Sequence, residues 1–140
     1  MGTADQKLDK QAKLHGTFSA YVRLLADCLD LRDWDIITKI GDIDADTLAT
    51  CEATYGQRRA RICITDTWQN LSPVDLRSTI VHELIHCHLG PLGHLIDNVA
   101  SSTFKKQAEK VFDAAYTLEM EHATDAIACA VAKYLPLFES

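Results

Sequence analysis

His82, Glu83 and His86 stand in the stretch TIVHELIHCHLG, residues 79–90, among Ile80, Val81, Leu84 and Ile85. A helix turns by about 100° per residue, so His82 and His86, four apart, lie one turn above each other on one face. Neutral imidazole is a good zinc ligand, and two on one helix supply half of a tetrahedral site without ordering a loop. Glu83 sits beside that face. It is poorly placed as a third ligand from the same turn, but it can reach a water on the metal and take its proton, which is the mechanism behind an H-E-x-x-H pattern. The pattern is short and would also suit an exposed His/Glu helix face; the aliphatic neighbours favour the metal reading.

A hydrolytic zinc site needs a third protein ligand and one open position. Downstream, LEMEHATDAIACAVA offers Glu119, Glu121, His122 and Asp125 in a segment otherwise small and apolar. Carboxylates are expensive to bury in such surroundings unless a cation compensates them. Glu121 and Asp125 are four apart and share a helical face, which suits a ligand and a carboxylate that accepts the free N–H of a metal-bound histidine. Glu119 points elsewhere, toward solvent. His94, in GPLGH, competes as third ligand; it also suits a rim residue that binds substrate or stabilises an oxyanion, or a plain loop histidine. A third histidine in the H-E-x-x-H-x-x-G-x-x-H spacing is excluded, because positions 89 and 92 hold Leu89 and Leu92. His88 faces away from the site, and His15 reads as surface.

These side chains need a scaffold. From about Gln6 to Leu31 the chain carries Leu8, Leu14, Phe18, Tyr21, Leu24, Leu25, Cys28 and Leu31 at helical spacing, an amphipathic helix. Between Trp34 and Asp66 the pattern becomes strand-like in WDIIT, TLATCEATY and ARICITD, which predicts a small, mostly antiparallel sheet with a hairpin at Gly56. Ser72, Pro73 and Asp75 announce the site helix, with an N-cap hydroxyl, a proline at the first helical position and an acid in the first turn. It is expected to run to about Leu89 and to stop at Gly90 and Pro91. Residues 90–103 then read as a loop with a short helical turn, and Phe104 to Leu135 as one long or two abutting helices ended before Pro136. The fold class is α+β in a single domain, residues 1–140.

Composition limits the partners. Among 140 residues, 20 acids and 14 bases give a net charge of -6, so a surface that neutralises phosphates is not indicated. The polar N-terminus and the absence of any run near the ~18 apolar residues of a membrane span lead to an expectation of a soluble, cytoplasmic protein. Cys28, Cys51, Cys63, Cys87 and Cys129 are scattered without a C-x-x-C pair, and most are expected to be small core residues. Asp42, Asp44 and Asp46 begin like a calcium loop, but Thr47 and Ala53 stand where its glycine and closing glutamate belong. Arg58, Arg59 and Arg61 read as a solvated hairpin tip.

HELIH paired with a downstream E-x-x-x-D helix resembles the gluzincin zinc peptidases. The small size, the helix–sheet–helix–helix order and EHATDAIA are similar to the ImmA/IrrE type of minimal metallopeptidase found in phages and mobile elements. There the ligand glutamate is followed at the fourth place by Asn or Asp, then an apolar residue and alanine; Glu121, Asp125, Ile127 and Ala128 match. Thr124, where alanine is common, and the extra His122 depart from it. The resemblance is specific over 79–88, moderate over 119–136 and architectural over the first 70 residues. It implies a zincin-like fold and a zinc-dependent endopeptidase with His82, His86 and Glu121 as ligands, Glu83 as general base and Asp125 behind a ligand. It also implies a protein or peptide substrate held along the edge of strand 60–66, with segment 90–103 as a wall and His94, Tyr116 or His122 as contacts to substrate or oxyanion. The SprT-like group, whose third ligand is a histidine after a glycine, is a second resemblance through Gly93 and His94.

Overall fold

The computed structural model describes residues 2–140. Three helices and a three-stranded sheet follow in the order α1 (Gly2–Cys28), β1 (Asp35–Ile40), β2 (Ala49–Thr54), β3 (Arg59–Ile64), α2 (Pro73–Thr103) and α3 (Lys106–Ala132). The class is α+β. No helix among the described residues is long and apolar enough to cross a membrane.

The sheet order is β1-β3-β2, and the sheet is mixed, not mostly antiparallel. β2 and β3 form the expected hairpin, while β1 lies parallel to β3 in the register Thr38↔Ile62. β3 is therefore the central strand. The expectation that 60–66 offers a free edge is wrong, because both its edges are hydrogen-bonded; β2 has the unpaired edge on the α2 side. The hairpin turns through Tyr55–Gln57, and its left-handed residue is Arg58 (φ 49°), not Gly56. Along β3, Ala60, Ile62 and Ile64 point inward. On the other face Arg59 pairs with Asp35, and Arg61 with Glu52. Arg58 pairs with Asp33, and all three arginines are exposed, so the hairpin tip is solvated as expected, with an acid beside each arginine.

One sheet face is covered by α1 over β1 and α2 over β2. α1 buries Phe18, Tyr21, Val22, Leu25 and Ala26, whereas Leu8 and Leu24 are exposed, so the buried stripe is narrower than its apolar spacing suggests. Trp68 closes the base of the core against Phe18 and Phe138, at ring separations of 5.5 and 5.6 Å. The C-terminal segment is fastened there by the Tyr21 hydroxyl, which donates to the Pro136 carbonyl at 2.9 Å. His15 is exposed but hydrogen-bonds the Thr38 carbonyl, tying α1 to β1. Of the cysteines, Cys63 and Cys87 are buried and Cys51 packs half-buried against the core, while Cys28 and Cys129 are exposed.

α2 begins as expected: the Asp75 amide donates to the Ser72 hydroxyl at 3.1 Å, and that hydroxyl donates back to the Asp75 carboxylate at 2.7 Å. Its end was misplaced. The helix passes through Gly90 and Pro91 and continues to Thr103, so segment 90–103 is not a loop. Proline removes one helical hydrogen bond and typically costs about 3 kcal/mol in a helix interior, which contacts elsewhere must offset. Here α3 packs along α2. Gly90 is not a helix stop but a gap for a ring, since a Cβ there would lie 1.7 Å from Tyr55.

α3 is a single helix that rests on α2. Its buried residues are Thr124, Ala128 and Ala132, four apart and small, while the larger Val111, Leu118 and Ile127 are exposed. Small side chains at a contact shorten the distance between helix axes. That close approach lets Glu121 and Asp125, on the same side of α3, reach α2.

Candidate metal centre

The buried face of HELIH is set by Ile80, Val81, Leu84 and Ile85, which press α2 into the sheet. With that face inward, the helical spacing turns His82 and His86 toward α3, their ring centroids 5.0 Å apart. Glu121 meets both: one carboxylate oxygen lies 3.2 Å from His82 Nε2 and the other 3.2 Å from His86 Nε2. His82 Nδ1 lies 2.7 Å from the Asp125 carboxylate. A carboxylate accepts there, so His82 donates from Nδ1 and leaves Nε2 facing Glu121, as a lone pair when the ring is neutral.

That arrangement carries a test of fit. With His82 neutral, the Nε2 lone pair and a carboxylate oxygen face each other at 3.2 Å, an arrangement made favourable by a cation between them, a proton or a metal ion. One ligand atom from each of His82, His86 and Glu121 can be chosen so that all lie within 4.8 Å of one another. Bonds of ~2.0 Å to a tetrahedral ion place ligand atoms roughly 3.3 Å apart, close to the observed separations. The donor set, two imidazoles and one carboxylate, suits zinc.

Glu83 is buried beside the cluster, on the side of α2 that faces β2, close to the Cys51 backbone amide. Burial pushes its carboxyl up to about 7; Glu121 and Asp125 push the same way, while His82 and the Cys51 amide pull it down. His86 is held below the usual imidazole range, chiefly by burial and against the attraction of Glu121. Next to Glu83, the Cys51 and Cys87 sulfurs are 4.0 Å apart.

Two cavities open on either side of the cluster. One, of about 240 Å³, is bounded by His86 and Glu121 and by Tyr55, Gly93, His94, Asp97, Tyr116 and Met120. The other, of about 460 Å³, is bounded by His82, Glu83 and Asp125 with Leu48 and Ala49 at the start of β2.

His82, Glu83, His86, Glu121 and Asp125 are thus brought together, and His94 and Tyr116 stand on one wall. His94 is not in the ligand cluster. His122 and Glu119 lie 3.9 Å apart, both well exposed, and bound neither cavity. His88 faces away as expected and hydrogen-bonds the Leu29 carbonyl at 2.7 Å.

Sequence reasoning missed Tyr55, Met120 and Asp97. Tyr55 and Met120 carry no signal in the spacing. Asp97 does, because eleven residues make three full turns, and in one unbroken helix His86, Gly90, Gly93 and Asp97 form a single stripe. Ending the helix at Leu89 hid it. No protein-family model, curated protein or solved structure matches this chain.

Proposed function

We propose that the protein is a zinc-dependent metallopeptidase of minimal gluzincin type, with a zincin-like fold, cleaving a specific protein or peptide in the cytoplasm. The observation that carries this reading is the convergence of His82, His86 and Glu121 with Glu83 buried alongside. Zinc held by those three residues would polarise a peptide carbonyl and acidify a coordinated water. Glu83 takes the proton from the attacking water and returns it to the leaving amine. Asp125 keeps His82 in the tautomer that offers Nε2. The substrate lies extended along the unpaired edge of β2, adding a strand by main-chain hydrogen bonds. Of the contacts named from the sequence, His94 and Tyr116 are on the cleft wall.

Metal content and hydrolysis measured on the same preparations test this. Wild type and Glu83→Gln should each hold about one zinc, while His86→Ala and Glu121→Ala should lose it. Cleavage of a peptide mixture should fall by roughly 10²- to 10⁴-fold in Glu83→Gln despite retained metal.

One observation favours a second reading, a non-catalytic interaction protein in which zinc braces the fold: α3 buries only three side chains among its described residues, so a metal clamp to α2 would supply much of its anchorage. Zinc bound with no hydrolysis in wild type would select this reading. Absence of zinc would end both.

A further inference from the structure

We infer that the substrate presents a lysine or arginine side chain to the cavity on the His86 side of the cluster, and that Asp97 selects it; this rests on the peptidase reading above. At about 240 Å³ the cavity is smaller than pockets for drug-sized ligands and suits one side chain. It begins at His86 and Glu121 and runs along α2 to Asp97, so it starts at the reacting centre and ends at a carboxylate. His86 and Asp97 lie three turns apart on one stripe, roughly 16 Å along the axis, with Asp97 leaning back toward the metal end as helical side chains do. Lysine and arginine, whose charged ends lie roughly 6 to 7 Å from Cα, carry a charge farther toward Asp97 than any other side chain.

The walls fit the two parts of such a side chain. Leu89, Met120 and the rings of Tyr55 and Tyr116 offer apolar surface to a methylene stem, and an aromatic face also attracts a cation. Near the far end, the Tyr116 hydroxyl is buried without a hydrogen-bond partner. It sits over Gly93, where a Cβ would come within 2.8 Å of it. Buried hydroxyls without partners are uncommon and destabilising. An aliphatic guest would leave this one unsatisfied, whereas an ammonium or guanidinium donates to both the Tyr116 oxygen and the Asp97 carboxylate. None of the residues bounding the cavity is Lys or Arg, and none bounds the cavity on the His82 side, where Asp46, Glu83 and Asp125 stand. A glutamate side chain would meet like charge at Asp97.

Calorimetric titration of zinc-loaded protein with the N-acetyl hydroxamates of arginine, norleucine and glutamate tests this without catalysis, because the hydroxamate anchors each probe on the metal. In wild type the arginine compound should bind about tenfold more tightly than the norleucine compound, and the glutamate compound most weakly. In Asp97→Asn, an exposed position with no packing to lose, the arginine advantage should vanish while zinc content is unchanged. Equal affinity for arginine and norleucine in wild type, or an arginine preference that survives Asp97→Asn, would overturn the inference and leave the peptidase reading standing. Failure of all three probes to bind would sink both.

Discussion

α2 and α3 are helices of similar length that meet at the same cluster, yet they are held in opposite ways. α2 drives Ile80, Val81, Leu84 and Ile85 into the sheet and is locked by aliphatic burial. α3 touches little besides α2 and does so through Thr124, Ala128 and Ala132. The histidines thus sit on the helix that packs into the sheet, and Glu121 on the one that rests mainly on α2. Such a centre has half its geometry prepaid by the core and half decided by whatever bridges the helices.

The sharpest test of this contrast is truncation on each side. Leu84→Ala, fully buried on α2, should destabilise the protein by about 2 to 5 kcal/mol. Leu118→Ala, an exposed position on α3, should change stability by less than about 0.5 kcal/mol in chemical denaturation. Comparable losses at the two sites would mean that α3 is as firmly seated as α2.

A second test uses the acid buried on the α2 side. In metal-free protein the Glu83 carboxyl stands near 7, against 4.5 for its ordinary value, so the folded chain keeps a proton that the unfolded chain releases. Stability should therefore fall as pH rises from about 4.5 to 7, by on the order of 3 kcal/mol for this group. Denaturation midpoints measured across that range with a chelator present should slope less in Glu83→Gln. Identical slopes in the two proteins would remove the burial argument for Glu83.

The smallest expected effect concerns Asp125, on the α3 side. Asp125→Asn should keep the fold but lower zinc affinity by about 10- to 100-fold in a competition titration, because the carboxylate no longer orients His82. An unchanged affinity would show that α2 alone sets that imidazole.

The site was far more legible in the sequence than the walls around it. HELIH announces two imidazoles on one face because the i, i+4 relation is fixed by helical geometry wherever the segment is helical. Glu121 and Asp125 could be paired by the same rule, within one helix. The capping residues Ser72, Pro73 and Asp75 likewise act locally, and the helix starts where they place it. The end of that helix was not local. Gly90 and Pro91 carry the chemistry of a stop, but the close seat of Tyr55 against Gly90 and the packing of α3 along α2 override it.

The order of the strands shows the same division. Alternation identified the three strand segments, but nothing in ARICITD says whether its edges are free, and pairing with β1 on one side and β2 on the other makes it central. The exposed and buried apolar residues of α3 have similar spacing, so the choice of Thr124, Ala128 and Ala132 as its contact face belongs to the fit against α2. By itself the sequence determined which donors exist and which of them share a helical face, because those are properties of residue type and of a 3.6-residue period. Only the tertiary structure decided that Glu121 comes within 3.2 Å of both histidines and that Asp97 shares a cavity with His86 and Glu121, because contacts between separate elements depend on how side chains of different size fill the space between them.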